Sequence, residues 1–441
     1  MTRVLVVGAG PAGIRAAERL VRAGLRPIVV DEGARAGGQI YRRPPEGFSR
    51  PPEKLYGSEA GKARALHAVF DAMVASGQVD HRPQASVHAI RDGVAHVGAQ
   101  RIAHDRLILA TGATDRLVPV EGWQRAGVFT LGAAQIALKA QGVAIGRRIV
   151  LAGSGPLLTL VATQLLAAGA GVAAVLDTAT LAQQAGGGGG MALARPAVTA
   201  RGLAMRARLG RLYHAGVRLD RIAEDAVHWR DAKGQAQVTP CDAVALGWHL
   251  RAETQLADLA GARFAWSDTW AQWLPVADPM GRAGPGLYLA GDGLRILGAD
   301  SAETAGALAA NACLNDLGTA TPDTPRLLRR ARRMHRFAAA MAQAFPWPGV
   351  PLDALPDTAV LCRCEGITVG QMRAAADHGG AEANRVKSLG RIGMGRCQGR
   401  YCQLAAADLI ARHAGLAPQA VGRLRGQPPA RPVPIDALLE D

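Results

Sequence analysis

Four cysteines near the carboxyl end have the spacing of a metal-binding group. Cys362 and Cys364 lie in LCRCEG, and Cys397 and Cys402 lie in GRCQGRYC, so a Cys-x-Cys pair precedes a Cys-x4-Cys pair. Four thiolates in two tight pairs can ligate one zinc ion or an iron–sulfur cluster. Zinc ribbons usually use Cys-x2-Cys knuckles, whereas a [2Fe–2S] cluster has two irons that each take two thiolates. The spacing favours the cluster, with zinc as the alternative.

A glycine-rich turn near the amino end has the pattern of a phosphate-binding site. The apolar stretch RVLVV runs directly into Gly8, Gly10, Pro11, Ala12 and Gly13, where an Ala-rich helical pattern begins. The first glycine permits a tight turn, the second lets the backbone approach a pyrophosphate, and the third lets the helix pack on its strand. The helix N-terminus then faces the phosphates. This order of strand, turn and helix predicts dinucleotide binding.

The position of this first unit at the amino end favours FAD over NAD, because flavoproteins of this type place the FAD domain first. Further segments fit the same ligand. The strand RPIVVDE ends in Asp31, with Glu32 as the neighbouring alternative, where an acid would take ribose hydroxyls. Three later turns are placed to approach the cofactor; they contain Gly38 and Gln39, Thr111 and Gly112, and Gly291 and Asp292.

A second unit of the same kind is predicted at residues 146–179. Its turn contains Gly153 and Gly155, but Leu158 replaces the third glycine and Asp177 lies one residue beyond the expected acid. These departures preserve the Rossmann-like pattern and argue against working NAD(P) binding. The following glycine run, residues 185–191, is predicted to be a flexible loop.

Together these patterns predict an α/β protein with two nested Rossmann-like, dinucleotide-binding domains and a small C-terminal helical iron–sulfur domain. The predicted divisions are an FAD domain at 1–120 and 275–320, a second NAD(P)-type domain at 121–274, a helix and linker at 321–358, a cysteine module at 359–415 and a tail at 416–441.

Composition excludes several other functions. The chain has 441 residues and a formal net charge of +15, but the positive charge is almost entirely Arg scattered through Ala- and Gly-rich sequence. This pattern predicts a solvated surface and no nucleic-acid partner. The apolar runs are too short to span a bilayer and no targeting signal is visible, so we expect a cytoplasmic protein. No histidine–carboxylate pair stands out as a catalytic site, and His249 and His335 are predicted to be surface or core residues.

Two groups of motifs resemble known families. The stretches CRCEGIT and GMGRCQGRYC resemble the bacterioferritin-associated-ferredoxin-like [2Fe–2S] module, although Arg396 stands where a proline is expected. The stretches GAGPAG, GGQIYR, ATGATDRLVPVEGW and AGSGPLL resemble the α (A) subunits of bacterial opine oxidases, hydrogen cyanide synthase, D-hydroxyproline dehydrogenase and dye-linked proline dehydrogenase. The α subunit of heterotetrameric sarcosine oxidase is a more distant relation.

The resemblance implies an electron-transferring subunit of a heteromeric amino-acid or opine dehydrogenase. An amine-oxidase-like flavoprotein β subunit would oxidise the C–N bond of the substrate, and a downstream electron acceptor and a small third subunit would be further partners. The implied cofactors are FAD, a [2Fe–2S] cluster and an FMN at a subunit interface, and the complex would be peripheral to the inner membrane. Two alternatives stay open at this stage, namely a self-sufficient NAD(P)H-dependent reductase and an assembly or regulatory protein with a structural FAD.

Overall fold

The computed structural model describes residues 2–48, 50–348 and 350–436, which form two mainly parallel sheets with smaller sheets and helices around them. The strands are β1 Val4–Val7, β2 Ile28–Val30, β3 Asp80–Arg82, β4 Val87–Arg91, β5 Val94–Val97, β6 Gln100–Ala103, β7 Arg106–Leu109, β8 Ala113–Asp115, β9 Val128–Thr130, β10 Ile149–Ser154, β11 Val172–Asp177, β12 Tyr213–Ala215, β13 Arg218–Ile222, β14 Ala226–Arg230, β15 Ala236–Pro240, β16 Ala243–Trp248, β17 Leu250–Ala252, β18 Phe264–Ser267, β19 Gln272–Pro275, β20 Arg282–Gly284, β21 Leu287–Leu289, β22 Val360–Cys362 and β23 Ile367–Thr368.

The helices complete the description. They are α1 Pro11–Arg22, α2 Pro52–Tyr56, α3 Ala60–Ala75, α4 Leu131–Ile136, α5 Pro156–Ala167, α6 Leu181–Ala194, α7 Pro196–Leu209, α8 Gln255–Leu259, α9 Ala299–Asp316, α10 Thr324–Ala344, α11 Val350–Asp353, α12 Val369–Gly379, α13 Ala383–Gly390, α14 Gln403–His413 and α15 Pro418–Val421. In the described ranges, none of them combines the length and the apolar character that a bilayer span requires.

The first sheet has the strand order β20-β21-β7-β1-β2-β3 and forms the first dinucleotide unit. Strand β1 lies inside it, pairs in parallel with β2 and β7, and is buried along its whole length. A continuous apolar run is typical of such a strand, because helices cover both faces of a parallel sheet. Helix α1 packs on α9, so the amino-terminal turn and the last segment of the unit meet on one side of the sheet.

The second sheet has the order β12-β11-β10-β16-β9, with parallel pairing throughout, and forms the second dinucleotide unit. It is inserted between β7 and β20 of the first sheet. Strands β8 and β17 pair antiparallel where the chain enters and leaves this unit. The predicted fold class, two nested Rossmann-like units followed by a helical C-terminal region, is confirmed.

The glycine run at residues 185–191 corrects one prediction, because it lies within helix α6 and does not form a loop. The helix begins at a capping box, in which the Thr180 side chain accepts from the Gln183 amide and the Gln183 side chain accepts from the Thr180 amide. A methyl group added at Gly187 would lie 2.2 Å from the carbonyl oxygen of Ala340 in α10. The glycines therefore permit two helix backbones to approach closely, which outweighs their poor helix propensity.

The C-terminal region packs on the second unit. Leu361, Met372 and Leu409 share one buried apolar cluster with Trp123 and Leu246. The indole Nε1 of Trp123 also donates a hydrogen bond to the carbonyl oxygen of Val360, at 2.5 Å. The cysteine module is therefore held in a fixed position next to the dinucleotide units.

Candidate cofactor sites

The first glycine turn is built around close backbone contacts. A methyl group at Gly8, where φ is +108°, would lie 2.3 Å from the Ala110 carbonyl oxygen, and one at Gly13 would lie 1.7 Å from the Gly8 carbonyl oxygen. Pro11 and Ala12 occupy the first turn of α1. The glycine turn is therefore packed tightly against the end of β7, and α1 begins directly after it.

The acid predicted for the ribose hydroxyls accepts two backbone amides in the structure. One carboxylate oxygen of Asp31 accepts from the Ala9 amide at 2.5 Å, and the other accepts from the Gly33 amide at 2.7 Å. Burial raises the pKa of Asp31, and these two amide hydrogen bonds oppose the increase. Asp31 therefore fixes the glycine turn, while Glu32 is the exposed carboxylate beside it and lies 3.4 Å from Arg431.

The segment after β2 returns to the glycine turn. Gly38 faces Gly10 so closely that a methyl group at Gly38 would lie 2.8 Å from the Gly10 Cα. The Gly37 amide donates to the Ala9 carbonyl oxygen at 2.8 Å, and Gln39 is exposed next to it. The structure thus brings the predicted Gly38–Gln39 turn to the first phosphate turn.

The remaining predicted flavin contacts come from the ends of β7 and β21. A methyl group added at Gly293 would lie 2.6 Å from Thr111 Oγ1, so the two turns are in contact. Asp292 Oδ1 accepts from the amides of Leu297 and Gly298, at 3.0 and 3.3 Å. Oδ2 of Asp292 makes no hydrogen bond with any residue of the described ranges, so it is free for a ligand. Burial raises the pKa of Asp292.

The four cysteines meet as two thiol pairs drawn from different motifs. Cys362 ends β22 and hydrogen-bonds Cys402, which precedes α14, and Cys364 hydrogen-bonds Cys397. None of them is in a disulfide. The charges of Cys397 and Cys364 also act on Cys402, so the two pairs are neighbours.

Backbone amides are directed at these sulfurs. Donors to Cys362 and Cys397 come from the surrounding turns, namely the amides of Cys364, Glu365, Gly393, Gly399 and Tyr401. The hydrogen bond with Cys402 is the main effect that lowers the pKa of Cys362 to about 6, and burial opposes it. Amide donors of this kind tune the electronic properties of metal thiolates.

The four thiols are donors of the kind that the spacing predicts for either a cluster or zinc. Within the described ranges, no group of three or more histidine, cysteine, aspartate or glutamate side chains is arranged to hold a metal ion. Two adjacent thiol pairs with amide donors are compatible with a two-iron cluster, in which each iron takes two thiolates. Cys241 and Cys313 lie outside the two cysteine motifs and are buried.

The phosphate turn of the second dinucleotide unit is covered by a side chain. A methyl group at Gly155 would lie 3.0 Å from the His249 ring, whose Nε2 is 2.7 Å from the carbonyl oxygen of Phe345. Because a carbonyl only accepts, Nε2 carries the proton. Burial lowers the pKa of His249 to about 4, so the ring is neutral at pH 7. His249, which was predicted to be a surface or core residue, is partly buried and in contact with Phe345.

The acid of the second unit is also engaged within the chain. Asp177 is fully buried and accepts hydrogen bonds from Ser154 Oγ at 2.9 Å and from the Tyr213 hydroxyl at 2.6 Å. Burial raises its pKa to about 6. Leu158 is fully buried among the core residues of this unit. Side chains of the chain itself therefore contact both the glycine turn and the acid of the second unit.

Sequence reasoning missed several residues that shape these sites. A methyl group at Gly306 in α9 would lie 2.0 Å from the Ala12 carbonyl oxygen, so this glycine sets the α1–α9 contact. Lys139 is buried and donates to the Ile40 carbonyl oxygen at 3.0 Å, next to the Gly38–Gln39 turn. Glu253 is buried beside Thr111. A glycine within an Ala-rich helix was the only signal that the sequence offered for any of them.

The fold and the first glycine turn define a two-dinucleotide-domain flavoprotein. Residues 2–313 match the family described as pyridine nucleotide-disulphide oxidoreductase, and residues 359–440 match the sarcosine oxidase A3 domain. The protein is thus a member of the FAD-dependent oxidoreductases.

More specifically, the chain belongs to the family of opine oxidase A subunits. It is 37% identical to the opine oxidase A subunit of Rhizobium meliloti, over 99% of this chain and 87% of that protein. It is 29% identical to hydrogen cyanide synthase subunit HcnB of Pseudomonas protegens, over 98% of this chain and 97% of that protein. The crystal structure of L-proline dehydrogenase from P. horikoshii superposes with a TM-score of 0.73 and 19% identity, covering 100% of this chain and 80% of that one, which shows a shared fold. The family resemblance predicted from the motifs is confirmed.

Proposed function

We propose that this chain is the electron-transferring subunit of a heteromeric dehydrogenase or oxidase that acts on the C–N bond of amino acids or opines. When bound, FAD supplies two-electron chemistry and a [2Fe–2S] cluster supplies one-electron chemistry. The chain would hold both groups and pass electrons from a partner subunit to a downstream acceptor.

The residues proposed for FAD are those that surround the first glycine turn. They are Gly8, Gly10, Pro11, Ala12, Gly13, Asp31, Glu32, Gly38, Gln39, Thr111, Gly112, Gly291 and Asp292. Among them, Glu32 is better placed than Asp31 to accept ribose hydroxyls, because both oxygens of Asp31 already accept backbone amides. Cys362, Cys364, Cys397 and Cys402 would ligate the cluster.

The proposed partner is an amine-oxidase-like flavoprotein β subunit, with an FMN at the interface between subunits and with a small third subunit. Two relatives support this proposal, because they are subunits of larger enzymes, an opine oxidase and a hydrogen cyanide synthase. The substrate would bind to the β subunit. We further propose that the complex is cytoplasmic and peripheral to the inner membrane through its other subunits.

One observation carries this proposal: a single segment contacts both predicted cofactor sites. Glu253 follows β17 and accepts a hydrogen bond from Thr111 Oγ1 at 2.6 Å through its carbonyl oxygen. Its carboxylate accepts from Arg400 Nε at 3.0 Å, within the loop that joins Cys397 to Cys402. The predicted flavin turn and the cysteine loop thus each form a hydrogen bond with Glu253. This proximity suits electron transfer between the proposed FAD and the proposed cluster.

A self-sufficient NAD(P)H-dependent reductase is the alternative function. It would need a second nucleotide site, and the natural place is the turn at Gly153 and Gly155. His249 covers that turn, and Asp177 is held by Ser154 and Tyr213. These contacts favour the electron-transferring subunit.

The test is anaerobic reduction of the purified chain and of its native complex, followed by visible absorption. We expect NADH to leave the absorption of the isolated chain unchanged. We expect an opine or amino-acid substrate to bleach the flavin and cluster bands only in the complex. Rapid bleaching of the isolated chain by NADH would instead establish the reductase, and a complex without a redox-active flavin would support a regulatory protein.

A further inference from the structure

The segment from β17 to the start of α8 joins the first dinucleotide unit to the cysteine module. On one side, the Glu253 amide donates to the Gly112 carbonyl oxygen at 3.0 Å. On the other side, Gln255 Nε2 donates to the Gln398 carbonyl oxygen at 2.6 Å, and Arg251 Nη1 donates to the Arg400 carbonyl oxygen at 2.9 Å. The loop between Cys397 and Cys402 is therefore bound by side chains from outside its own module.

Arg251 is unusual among these contacts because its guanidinium is buried and only partly paired. The residue is 2% exposed. Its Nη2 group is buried and has no hydrogen-bond partner in the described ranges. A buried donor without a partner is destabilising, so an acceptor bound nearby would remove that cost.

The charges around Arg251 leave an excess of positive charge. Glu253 is the only carboxylate among the main charges that act on Arg251. Its Oε2 also lies 3.0 Å from Nε of Arg400 and 3.8 Å from Nη2 of Arg431. Burial lowers the pKa of Arg251, and Glu253 and then the thiols of Cys402 and Cys397 act to raise it. Three guanidinium groups thus share one carboxylate next to the cysteine loop.

We propose that Arg251 is a positioning residue that holds the Cys397–Cys402 loop and, as a buried cation, sets the reduction potential of the cluster bound there. This inference rests on the proposed binding of a [2Fe–2S] cluster by the four cysteines. One-electron reduction makes a cluster with four thiolate ligands more negative by one charge, without breaking a bond. A buried cation stabilises the more negative state, so it raises the reduction potential.

The position of Arg251 makes this potential depend on the contact between two parts of the chain. Lys387, within the cysteine module, also interacts with Cys402. Arg251 instead belongs to β17, the strand through which the chain leaves the second dinucleotide unit. The cluster would therefore reach its working potential only while the module is docked against that strand.

The test is a redox titration of the iron-loaded full chain with dithionite, followed by visible absorption and electron paramagnetic resonance. We expect Arg251→Met to shift the midpoint potential downward and Arg251→Lys to keep most of the wild-type value. Glu253→Gln removes a negative charge and keeps a side chain of nearly the same shape, so we expect the midpoint potential to shift upward. Opposite shifts in the two charge variants cannot arise from a general loosening of the loop.

Arg116→Met is the matched control, because Arg116 is also a buried arginine but its main charge interactions are with Asp408 and Arg251. We expect its potential to stay closer to wild type than that of Arg251→Met. An unchanged potential in Arg251→Met, or shifts of the same sign in Arg251→Met and Glu253→Gln, would overturn the inference. If Arg251→Met does not fold, the direction of the Glu253→Gln shift decides. A wild-type chain that binds no iron would refute the proposed cluster, and this outcome is distinct from a failure of the inference about Arg251.

Discussion

The four cysteines proposed as cluster ligands differ in their exposure to solvent. Cys362 and Cys402 are buried, whereas Cys364 is exposed. The sequence predicted all four as ligands from their spacing, but not that each thiol of the first motif pairs with one of the second. It also placed Asp31 at the ribose, where the structure ties both of its oxygens to amides. Such pairings depend on the folded path of the chain, which spacing alone does not contain.

We predict that Cys402→Ala loses most of its bound iron while the chain stays folded. The substitution removes one ligand from a buried thiol pair, and four ligands are needed to hold a cluster. Iron analysis and visible absorption measure the loss, and circular dichroism measures folding. Cys241→Ala is the control, and it should keep its iron because Cys241 lies between β15 and β16 of the second dinucleotide unit, outside the two cysteine motifs. Equal iron in the two variants would exclude Cys402 as a ligand.

His249 predicts a pH dependence of stability. Its pKa is about 4 in the folded chain, below the value of roughly 6.5 expected when unfolded, so the unfolded chain binds more protons between these values. The free energy of unfolding should therefore fall as pH falls from 6.5 toward 4. For His249→Gln, which can still donate to Phe345, we expect the loss between pH 7.5 and pH 5 to be smaller by about 2 kcal/mol.

Urea unfolding of wild type and His249→Gln at the two pH values measures this difference. His378→Gln, at an exposed position, is the control and should retain the wild-type pH dependence. Identical pH dependence in wild type and His249→Gln would show that the imidazole is not kept neutral by burial.

Helices and strands are predicted well where their pattern is local and poorly where a tertiary contact decides. The apolar runs at β1 and β10 and the turns that follow them identify both Rossmann-like units from the sequence. The glycine run of α6 has poor intrinsic helix propensity and therefore suggests a loop. It forms a helix because α10 packs closely on it, and α10 is more than a hundred residues later in the chain.

Two neighbouring glycines of α6 should respond oppositely to alanine. A methyl group at Gly187 would lie 2.2 Å from the Ala340 carbonyl oxygen, whereas one at Gly188 meets nothing within 4 Å. We expect Gly188→Ala to stabilise the chain by about 1 kcal/mol, since alanine is the better helix former, and Gly187→Ala to destabilise it. Thermal or urea unfolding distinguishes the two. Stabilisation by both substitutions would contradict the close packing of α6 and α10.

The whole molecule brings two glycine turns of dinucleotide type and one cysteine group together. The order of the units could be read from the sequence, because each has its own motif. The link through Arg251, Glu253 and Arg400 could not, because Arg251 and Glu253 belong to no motif and meet Arg400 of the cysteine motif only after the cysteine module docks. The same is true of His249, whose place over Gly155 is set by the segment that carries Phe345.

The most direct measurement is iron, acid-labile sulfide and flavin analysis of the anaerobically purified chain, with its visible spectrum before and after dithionite. We expect roughly two irons and two sulfides per chain, as one [2Fe–2S] cluster contains, together with bound FAD and bands that bleach on reduction. A folded, colourless chain that holds zinc or no metal at the four cysteines would contradict the proposed electron transfer.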